Sequence, residues 1–272
     1  MKKFLALALA LVMVLFAFAS CDKGTAEESK ADNTEANATE AGADTEAEED
    51  IFAKSEGTMT YAEYMAAAKG DKVVIEGFIQ AKGNTYEAYG NTNIYLADKD
   101  GAYYVYRLTV NSADDWAKMT VGTKLKITGV KSDYSGEIEI AGNDEVTPGT
   151  YEFMDGTYVA EAVDVTAKVG TSDIDAYQNQ LITITGAEVV ADANGNAFTY
   201  KYNGSGSQGD DAYFYVSING TSYQFLAETD ITDKDSDVYK AVEALKVGDK
   251  VTLTGFAYWY NGLQMQVTSI TK

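Results

Sequence analysis

Residues 121–129 read VGTKLKITG, and residues 247–255 read VGDKVTLTG. Both stretches begin with Val-Gly, carry a lysine at the fourth position and end in Thr-Gly. From the lysine onward, polar and apolar residues alternate, which is the period of a half-buried β-strand. A nine-residue pattern that occurs twice indicates an internal repeat. The chain is therefore predicted to contain two copies of one β-rich unit.

Other segments match in the same way. The pairs are residues 73–77 (VVIEG) with 182–186 (ITITG), 100–106 (DGAYYVY) with 210–216 (DDAYFYV), and 134–136 (YSG) with 260–262 (YNG). The offset between copies grows from 109 to 110 to 126 residues along the chain. The second copy therefore carries extra residues between its third and fourth strands, where Val238, Val242 and Leu245 have the spacing of a helix.

The first copy is predicted to begin with a short helix. Residues 60–63 have the spacing of a capping box, and Gly70 follows the helix-favouring residues 64–69. Strands are predicted at residues 72–78, 93–97, 103–109, 124–130 and 137–140. The boundary between copies is expected near residues 143–156, which include the single proline, Pro148. Residues 158–165 either close the first unit or lead into the second.

Five short strands, a helix between the third and fourth, and VGDKVTLTG leading into the fourth strand resemble an oligonucleotide/oligosaccharide-binding (OB) fold. The resemblance covers roughly residues 58–142 and 164–272, and other small antiparallel barrels or sandwiches fit the same plan. We expect a mainly β protein with two small antiparallel, OB-like five-stranded barrels and short helices. The resemblance implies that the second and third strands, with their flanking loops, form the ligand face.

The N-terminus has the pattern of an export signal. Lys2 and Lys3 precede an uncharged, mostly apolar run over residues 4–19, about 16 residues, which is short for a membrane span. Residues 18–21 (FASC) resemble the lipobox of bacterial lipoproteins, which implies that Cys21 becomes the acylated first residue. An uncleaved N-terminal anchor is the alternative. The predicted location is the cell envelope, membrane-anchored and facing outside the cytoplasm.

Residues 21–50 are predicted to be an acidic, disordered tether. Residues 22–50 contain 11 acidic residues against two lysines and have no aromatic or large aliphatic side chain. Its mean span is about 30 Å at 5–6 Å × √n. The predicted domains are thus residues 1–20 (signal peptide), 21–50 (tether), 51–150 (first OB-like domain) and 151–272 (second OB-like domain).

Composition restricts the possible chemistry. Cys21 is the only cysteine, Arg107 is the only arginine, and histidine is absent. Neither a disulfide nor a cysteine or histidine metal site can form in the exported part, and no cofactor is predicted. Of the formal charge of −21, residues 51–272 carry −14. A body this acidic repels polyphosphates, because nucleic-acid affinity comes largely from lysine and arginine.

Aromatic residues are the candidate ligand contacts. In residues 212–218 the apolar set Phe214, Val216 and Ile218 is expected to face the core, which turns Tyr213 and Tyr215 outward. Outward tyrosines either stack on a sugar ring or a base, or form stabilising cross-strand pairs.

The remaining candidates come from the repeat and from a hairpin. The match with residues 100–106 places Tyr103, Val105 and Arg107 on the outer face of the first copy. Tyr258, Trp259 and Tyr260 stand beside a predicted Asn-Gly turn, where they either clamp a ligand or insert into a partner, or form a domain contact or a minor core. The acidic stretches 98–101 and 192–196 are expected to be turns rather than calcium loops.

The leading hypothesis is a non-enzymatic, lipid-anchored binding protein that recognises a protein or glycan partner. The alternative is an oligonucleotide-binding lipoprotein, which lysines clustered beside the aromatic face would support, namely Lys72, Lys82, Lys124 and Lys126. A third hypothesis is a carbohydrate-active enzyme with two carboxylates, which requires an acid of strongly raised pKa in a cleft.

Overall fold

The computed structural model of the chain describes residues 50–141 and 149–272, which belong to one compact unit, Glu48–Lys272. Cys21, the predicted signal peptide, the predicted tether up to residue 49 and Pro148 lie outside the described residues. Among the described residues, no helix combines the length and the hydropathy needed to cross a bilayer.

The protein is mainly β, with short helices. The strands are β1 Lys72–Lys82, β2 Asn91–Ala97, β3 Ala102–Thr109, β4 Thr123–Tyr134, β5 Glu137–Ala141, β6 Thr150–Thr157, β7 Val163–Asp164, β8 Leu181–Val190, β9 Phe198–Tyr200, β10 Ala212–Ile218, β11 Thr221–Ala227, β12 Lys250–Phe256 and β13 Gln266–Thr271. The helices are α1 Tyr61–Ala66, α2 Tyr86–Tyr89, α3 Ala113–Lys118, α4 Thr229–Thr232 and α5 Asp237–Glu243, with a 3-10 helix at Ser172–Tyr177.

The strands close into two barrels of the same connectivity. In the first barrel the neighbours run β1-β2-β3-β5-β4, and β1 pairs with β4 to close the ring. In the second they run β8-β10-β11-β13-β12, and β12 pairs with β8. In both, the third and fifth strands are parallel and the other pairs of the ring are antiparallel. The prediction of two small OB-like barrels is confirmed.

Local sequence accounts for the helices. The predicted capping box is formed, because the Glu63 N–H donates to Thr60 Oγ1 at 3.2 Å and the Thr60 N–H donates to Glu63 Oε2 at 2.8 Å. Helix α5 lies between the third and fourth strands of the second barrel and buries Val238 and Val242. The helix expected in the longer second copy is therefore present.

The match between residues 100–106 and 210–216 is not a match between equivalent strands. β3 is the third strand of its barrel, whereas β10 pairs with β8 and β11 and is the second strand of its own. Tyr103 and Val105 are fully buried in the first core, opposite to the orientation that we expected. Because side chains alternate faces, aligning strands one residue out of phase exchanges the inner and outer sets.

Three strands lie outside the barrel rings: β9 pairs with β10, and β6 and β7 show where the first sheet ends and the second begins. β6 pairs with β4, so residues 150–157 extend the first sheet beyond the boundary predicted at residue 150. β7 pairs in parallel with β8, so residues 163–164 join the second sheet.

The second barrel covers the ligand face expected on the first. Tyr95 of β2 and Tyr104 of β3 point out of the first core and are buried against Phe256 at the end of β12. The rings of Tyr95 and Phe256 stack with centroids 4.1 Å apart, and the Tyr95 hydroxyl donates to Gln266 Oε1 at 2.7 Å. This contact removes the outward side chains of Tyr95 and Tyr104 from solvent, whereas Tyr106 and Arg107 farther along β3 stay exposed.

Candidate ligand cleft

A cleft of about 420 Å³ opens beside this contact. It is lined by five tyrosines, three glutamines, one leucine and one glutamate: Tyr134, Tyr202, Tyr213, Gln224, Leu226, Glu228, Tyr258, Tyr260, Gln264 and Gln266. Of these residues only Tyr134 comes from the first barrel. The cleft therefore belongs mainly to the second and third strands of the second barrel and to the β12–β13 connection.

Strand alternation directs β10 and β11 at the cleft. Ala212 and Phe214 belong to the second core, so Tyr213 between them faces outward. Gln224, one strand along, is held by donation of its Nε2 to the Tyr215 hydroxyl at 3.0 Å and to the Tyr202 carbonyl at 3.2 Å. This wall of the cleft is thus set by the barrel itself.

Two equivalent hairpin turns, one from each barrel, place the outer tyrosines. Ser135-Gly136 and Asn261-Gly262 all have positive φ, between 56° and 133°, which a tight turn between twisted strands requires. The Asn261 N–H donates to the Ser135 carbonyl at 2.7 Å and ties the turns together. The residues that precede these turns, Tyr134 and Tyr260, consequently stand side by side at the rim.

The tyrosine rings offer faces to a ligand. Tyr134, Tyr202 and Tyr260 are 56%, 68% and 47% exposed. The rings of Tyr134 and Tyr260 have centroids 6.1 Å apart. Tyr258 packs edge-on against Tyr104 at 5.6 Å and so joins the cleft to the barrel contact.

Glu228 is the one acidic residue in the lining. Burial, together with the neighbouring Asp211 and Asp230, raises the pKa of its carboxyl to about 8, and a hydrogen bond with Gln266 acts in the opposite direction. Its Oε2 oxygen is shielded from solvent and has no hydrogen-bond partner among the described residues. The carboxyl is therefore mostly protonated at neutral pH.

The lining contains neither lysine nor arginine, and it holds one carboxyl rather than two. The acid of raised pKa that the enzyme hypothesis required is present, but the second carboxylate that a glycosidase uses does not line the cleft. The arrangement therefore suits binding of a neutral or cationic ligand with flat faces.

The predicted ligand residues have different positions. Tyr213, Tyr258 and Tyr260 line the cleft, and Tyr215 lies on the same outer face of β10 without lining it. Trp259 is only 9% exposed and packs in the second core, so its predicted role in a clamp is wrong. Its position between two outward tyrosines turns it inward, as period-two alternation requires.

Two further candidates lie in the first barrel, away from the cleft. The Tyr103 side chain lies in the core, where its hydroxyl donates to Asp98 Oδ2 at 2.8 Å. Arg107 is exposed, and its guanidinium lies over the Tyr106 ring at 4.9 Å. Its φ of 54° shows that β3 departs from regular strand geometry at this residue.

The lysines that could have formed a basic groove are engaged elsewhere. Lys124 Nζ donates to the carbonyls of Ile51 and Ala53 and is buried, and Lys126 Nζ donates to Ser55 Oγ. Lys82 Nζ lies 3.5 Å from the centroid of the Trp116 ring and donates to the carbonyl of that residue. Lys72 is exposed at the start of β1, and none of the four lines the cleft.

The acidic turns use their own carboxylates. Asp192 Oδ1 accepts from the N–H groups of Asn194 and Asn196 at 2.8 and 2.7 Å, and Asp98 Oδ2 accepts from Lys54 Nζ at 2.7 Å. Within residues 50–141 and 149–272, no group of three or more acidic side chains is placed to hold a metal ion.

Sequence reasoning missed seven of the ten lining residues. For Tyr134 a signal existed, because its turn, YSG, matches YNG of the second copy. No pattern distinguishes the six others, since they come together only when the strands and loops of the second barrel fold: Tyr202, Gln224, Leu226, Glu228, Gln264 and Gln266.

No protein-family model matches the chain. No curated protein matches it. Similar solved structures include the Ifi202 HINa domain in complex with 20-base-pair double-stranded DNA, at 14% identity and a TM-score of 0.31, covering 68% of this chain and 86% of that one. Replication protein A bound to single-stranded DNA has 9% identity, a TM-score of 0.26 and coverages of 79% and 68%. The single-stranded DNA-binding protein from Thermus aquaticus has 12% identity and a TM-score of 0.24, and the match covers 75% of this chain and 94% of that one.

Proposed function

We propose that the protein is a non-enzymatic binding protein that takes a glycan into the cleft between its barrels and is held at the outer side of a membrane through Cys21. The observation that carries this proposal is the lining itself, five tyrosines and three glutamines without a basic residue. Tyrosine faces pack against the C–H faces of a sugar ring, and amide side chains both donate to and accept from hydroxyl groups.

The size of the cleft favours a glycan over a folded protein. A volume of about 420 Å³ is within the range of sites that enclose a small ligand. A stable protein interface needs roughly 800 Å² from each partner, and its most favourable contacts are usually large apolar anchors. Here the exposed residues at the rim are polar-tipped tyrosines, which suit a hydroxylated ligand.

Oligonucleotide binding is the second candidate, since exposed tyrosine rings also stack on bases. Against it, the cleft contains no lysine or arginine, and three of the four lysines considered above are held by internal contacts. The net charge of −14 on residues 51–272 opposes polyphosphate binding as well.

Calorimetric titration of residues 48–272 with neutral oligosaccharides and with a single-stranded oligonucleotide, each at low and moderate salt, tests the proposal. We expect oligosaccharide binding that is insensitive to salt. We also expect it to weaken about five- to tenfold in Tyr202→Ala and Tyr260→Ala, with Tyr89→Ala, an exposed tyrosine outside the cleft, as the control. Salt-sensitive oligonucleotide binding without oligosaccharide binding would establish the second candidate instead.

Anchoring is tested separately on the whole chain. Replacement of Cys21 by serine should release the protein from the membrane fraction and abolish incorporation of a labelled fatty acid. Retention of the variant in the membrane would favour an uncleaved N-terminal anchor.

A further inference from the structure

We propose that the glycan carries a free amine, as in a deacetylated amino sugar, and that its ammonium group sits against the Glu228 carboxylate. This inference rests on the proposed glycan-binding function and assigns the chemical class of the ligand. It starts from the one buried acidic oxygen in the cleft that has no partner within the described part of the chain.

Glu228 differs from the two acids beside it. Asp211 Oδ1 accepts from both the N–H and the hydroxyl of Thr229 at 2.8 Å. Asp230 accepts from the Asn84 N–H and from Asn93 Nδ2, also at 2.8 Å. Those two carboxylates are satisfied by the protein, whereas Glu228 Oε2 has no such donor. A buried polar group without a partner destabilises the fold, unless a ligand supplies the partner.

The groups that face Glu228 favour a cation. Asp211 and Asp230 are acidic and both raise the pKa of Glu228, and the other titratable neighbours are tyrosines, which carry no positive charge: Tyr95, Tyr104, Tyr213 and Tyr258. Tyr213 and Tyr258 line the cleft, and their ring faces attract a cation through the aromatic quadrupole. An anionic sugar, such as a uronic acid, would meet the acidic Glu228, Asp211 and Asp230 there, and the lining offers it no lysine or arginine.

Binding replaces the proton on the Glu228 carboxyl with the ammonium group of the ligand. In the free protein burial holds the pKa of Glu228 at about 8, so the carboxyl carries a proton at neutral pH. When an ammonium group arrives, the carboxyl transfers that proton to the buffer, and the resulting carboxylate accepts hydrogen bonds from the ammonium. An N-acetylated sugar carries no charge and leaves the proton in place, so it binds without proton release.

The test compares chito-oligosaccharides of equal length, fully deacetylated and fully N-acetylated, by calorimetry at a pH where the free amine is protonated. We expect the wild-type protein to bind the deacetylated form at least tenfold more tightly, because a hydrogen bond to a charged group contributes about 1.5–3 kcal/mol. Titrations in buffers of different ionisation enthalpy should show proton release for the deacetylated form alone.

Glu228→Gln should remove both the preference and the proton release, and still bind the acetylated form. Glu188→Gln is the matched control, because Glu188 is an acid of the same barrel that pairs with Lys250 outside the cleft. This variant should leave the preference for the deacetylated form and the proton release unchanged. Thermal melts of both variants verify folding.

Equal affinity for the two forms, or a preference that survives in Glu228→Gln, would overturn the amine assignment while the glycan proposal stands. Absence of binding to either form and to the neutral oligosaccharides would overturn both proposals.

Discussion

The same face of the fold has opposite environments in the two barrels. In the first, the outward residues of the second and third strands, Tyr95 and Tyr104, are buried beneath Phe256 of the second barrel. In the second barrel the corresponding strands present Tyr213 and Gln224 to an open cleft. The difference shows that two barrels of one connectivity form a single candidate site, because the first barrel uses its face for docking.

One segment explains how the two faces came to differ. Residues 257–265 connect β12 to β13, and within them Tyr258 contacts Tyr104 of the first barrel and also lines the cleft. The connection thus covers one face and forms the wall of the other. Loss of the barrel contact would therefore be expected to disturb the cleft as well.

The largest effect is expected from removing the aromatic contact. Phe256→Ala deletes a ring that is 2% exposed and stacks on Tyr95 at 4.1 Å. We expect a loss of about 3–5 kcal/mol in the free energy of unfolding, from lost burial and from the cavity. Denaturation with urea measures it. Tyr89→Ala, at a 74% exposed site, should change stability by less than about 0.5 kcal/mol, and equal effects of the two variants would contradict a stabilising contact.

Raising the pH should also weaken the contact between the two barrels. Burial raises the pKa of Glu137 to about 8 and that of Glu139 to about 7, and Glu137 Oε2 accepts from the Trp259 N–H across the barrels at 2.8 Å. Between the ordinary carboxyl pKa and about 8, the folded protein holds protons that the unfolded chain has released. Stability is therefore highest at the acidic end of this window and falls as the pH rises.

We expect a loss of about 2–3 kcal/mol between about pH 5 and about pH 8.5, at about 1.4 kcal/mol per pKa unit and with partial hydration limiting the sum. Urea denaturation at several pH values measures it. Glu137→Gln should reduce the dependence, part of which remains because the pKa values of Glu139 and Glu228 are also raised, and Glu188→Gln should leave it unchanged. Stability that stays constant over this window would show that these carboxyls ionise as freely in the folded state as in the unfolded chain.

A smaller effect is expected where the first barrel contributes to the cleft. Tyr134 is its single lining residue, so Tyr134→Ala should weaken oligosaccharide binding about fivefold, or about 1 kcal/mol, with little change in stability because the ring is exposed. Calorimetry compares it with Tyr89→Ala in the same barrel. An unchanged affinity would assign the site to the second barrel alone.

The smallest effect concerns the paired turns. Ser135 has a φ of 56°, as does Asn261 at the equivalent position, and asparagine adopts this left-handed conformation at lower energetic cost than serine. Ser135→Asn should therefore raise the free energy of unfolding by a few tenths of a kcal/mol, and Asn261→Ser should lower it similarly. Urea midpoints measure both. Shifts of the opposite sign would show that the side chains, and not the backbone, determine the turns.

The local alternation and spacing of apolar residues were sufficient to predict the main strands and the longest helix of the second barrel. The alternation in residues 121–129 and its return in 247–255 predicted the fourth strand of each barrel, and the spacing of Val238, Val242 and Leu245 predicted α5. These features depend on burying one face of a strand or helix, which the order of residues along the chain encodes directly. The phase of β3 relative to β10 could not be read, because residues 100–106 and 210–216 are similar in composition and a shift of one residue exchanges their faces.

The sequence by itself determined two OB-like barrels, an acidic body without histidine, and an abundance of tyrosine. The tertiary structure decided which tyrosines fill cores, which join the barrels and which line the cleft, and it placed Glu228 where one carboxyl oxygen has no partner among the described residues. The physical reason is that burial of a strand's outer face depends on what docks against it. The docking partner is remote in the chain, so no local period records it.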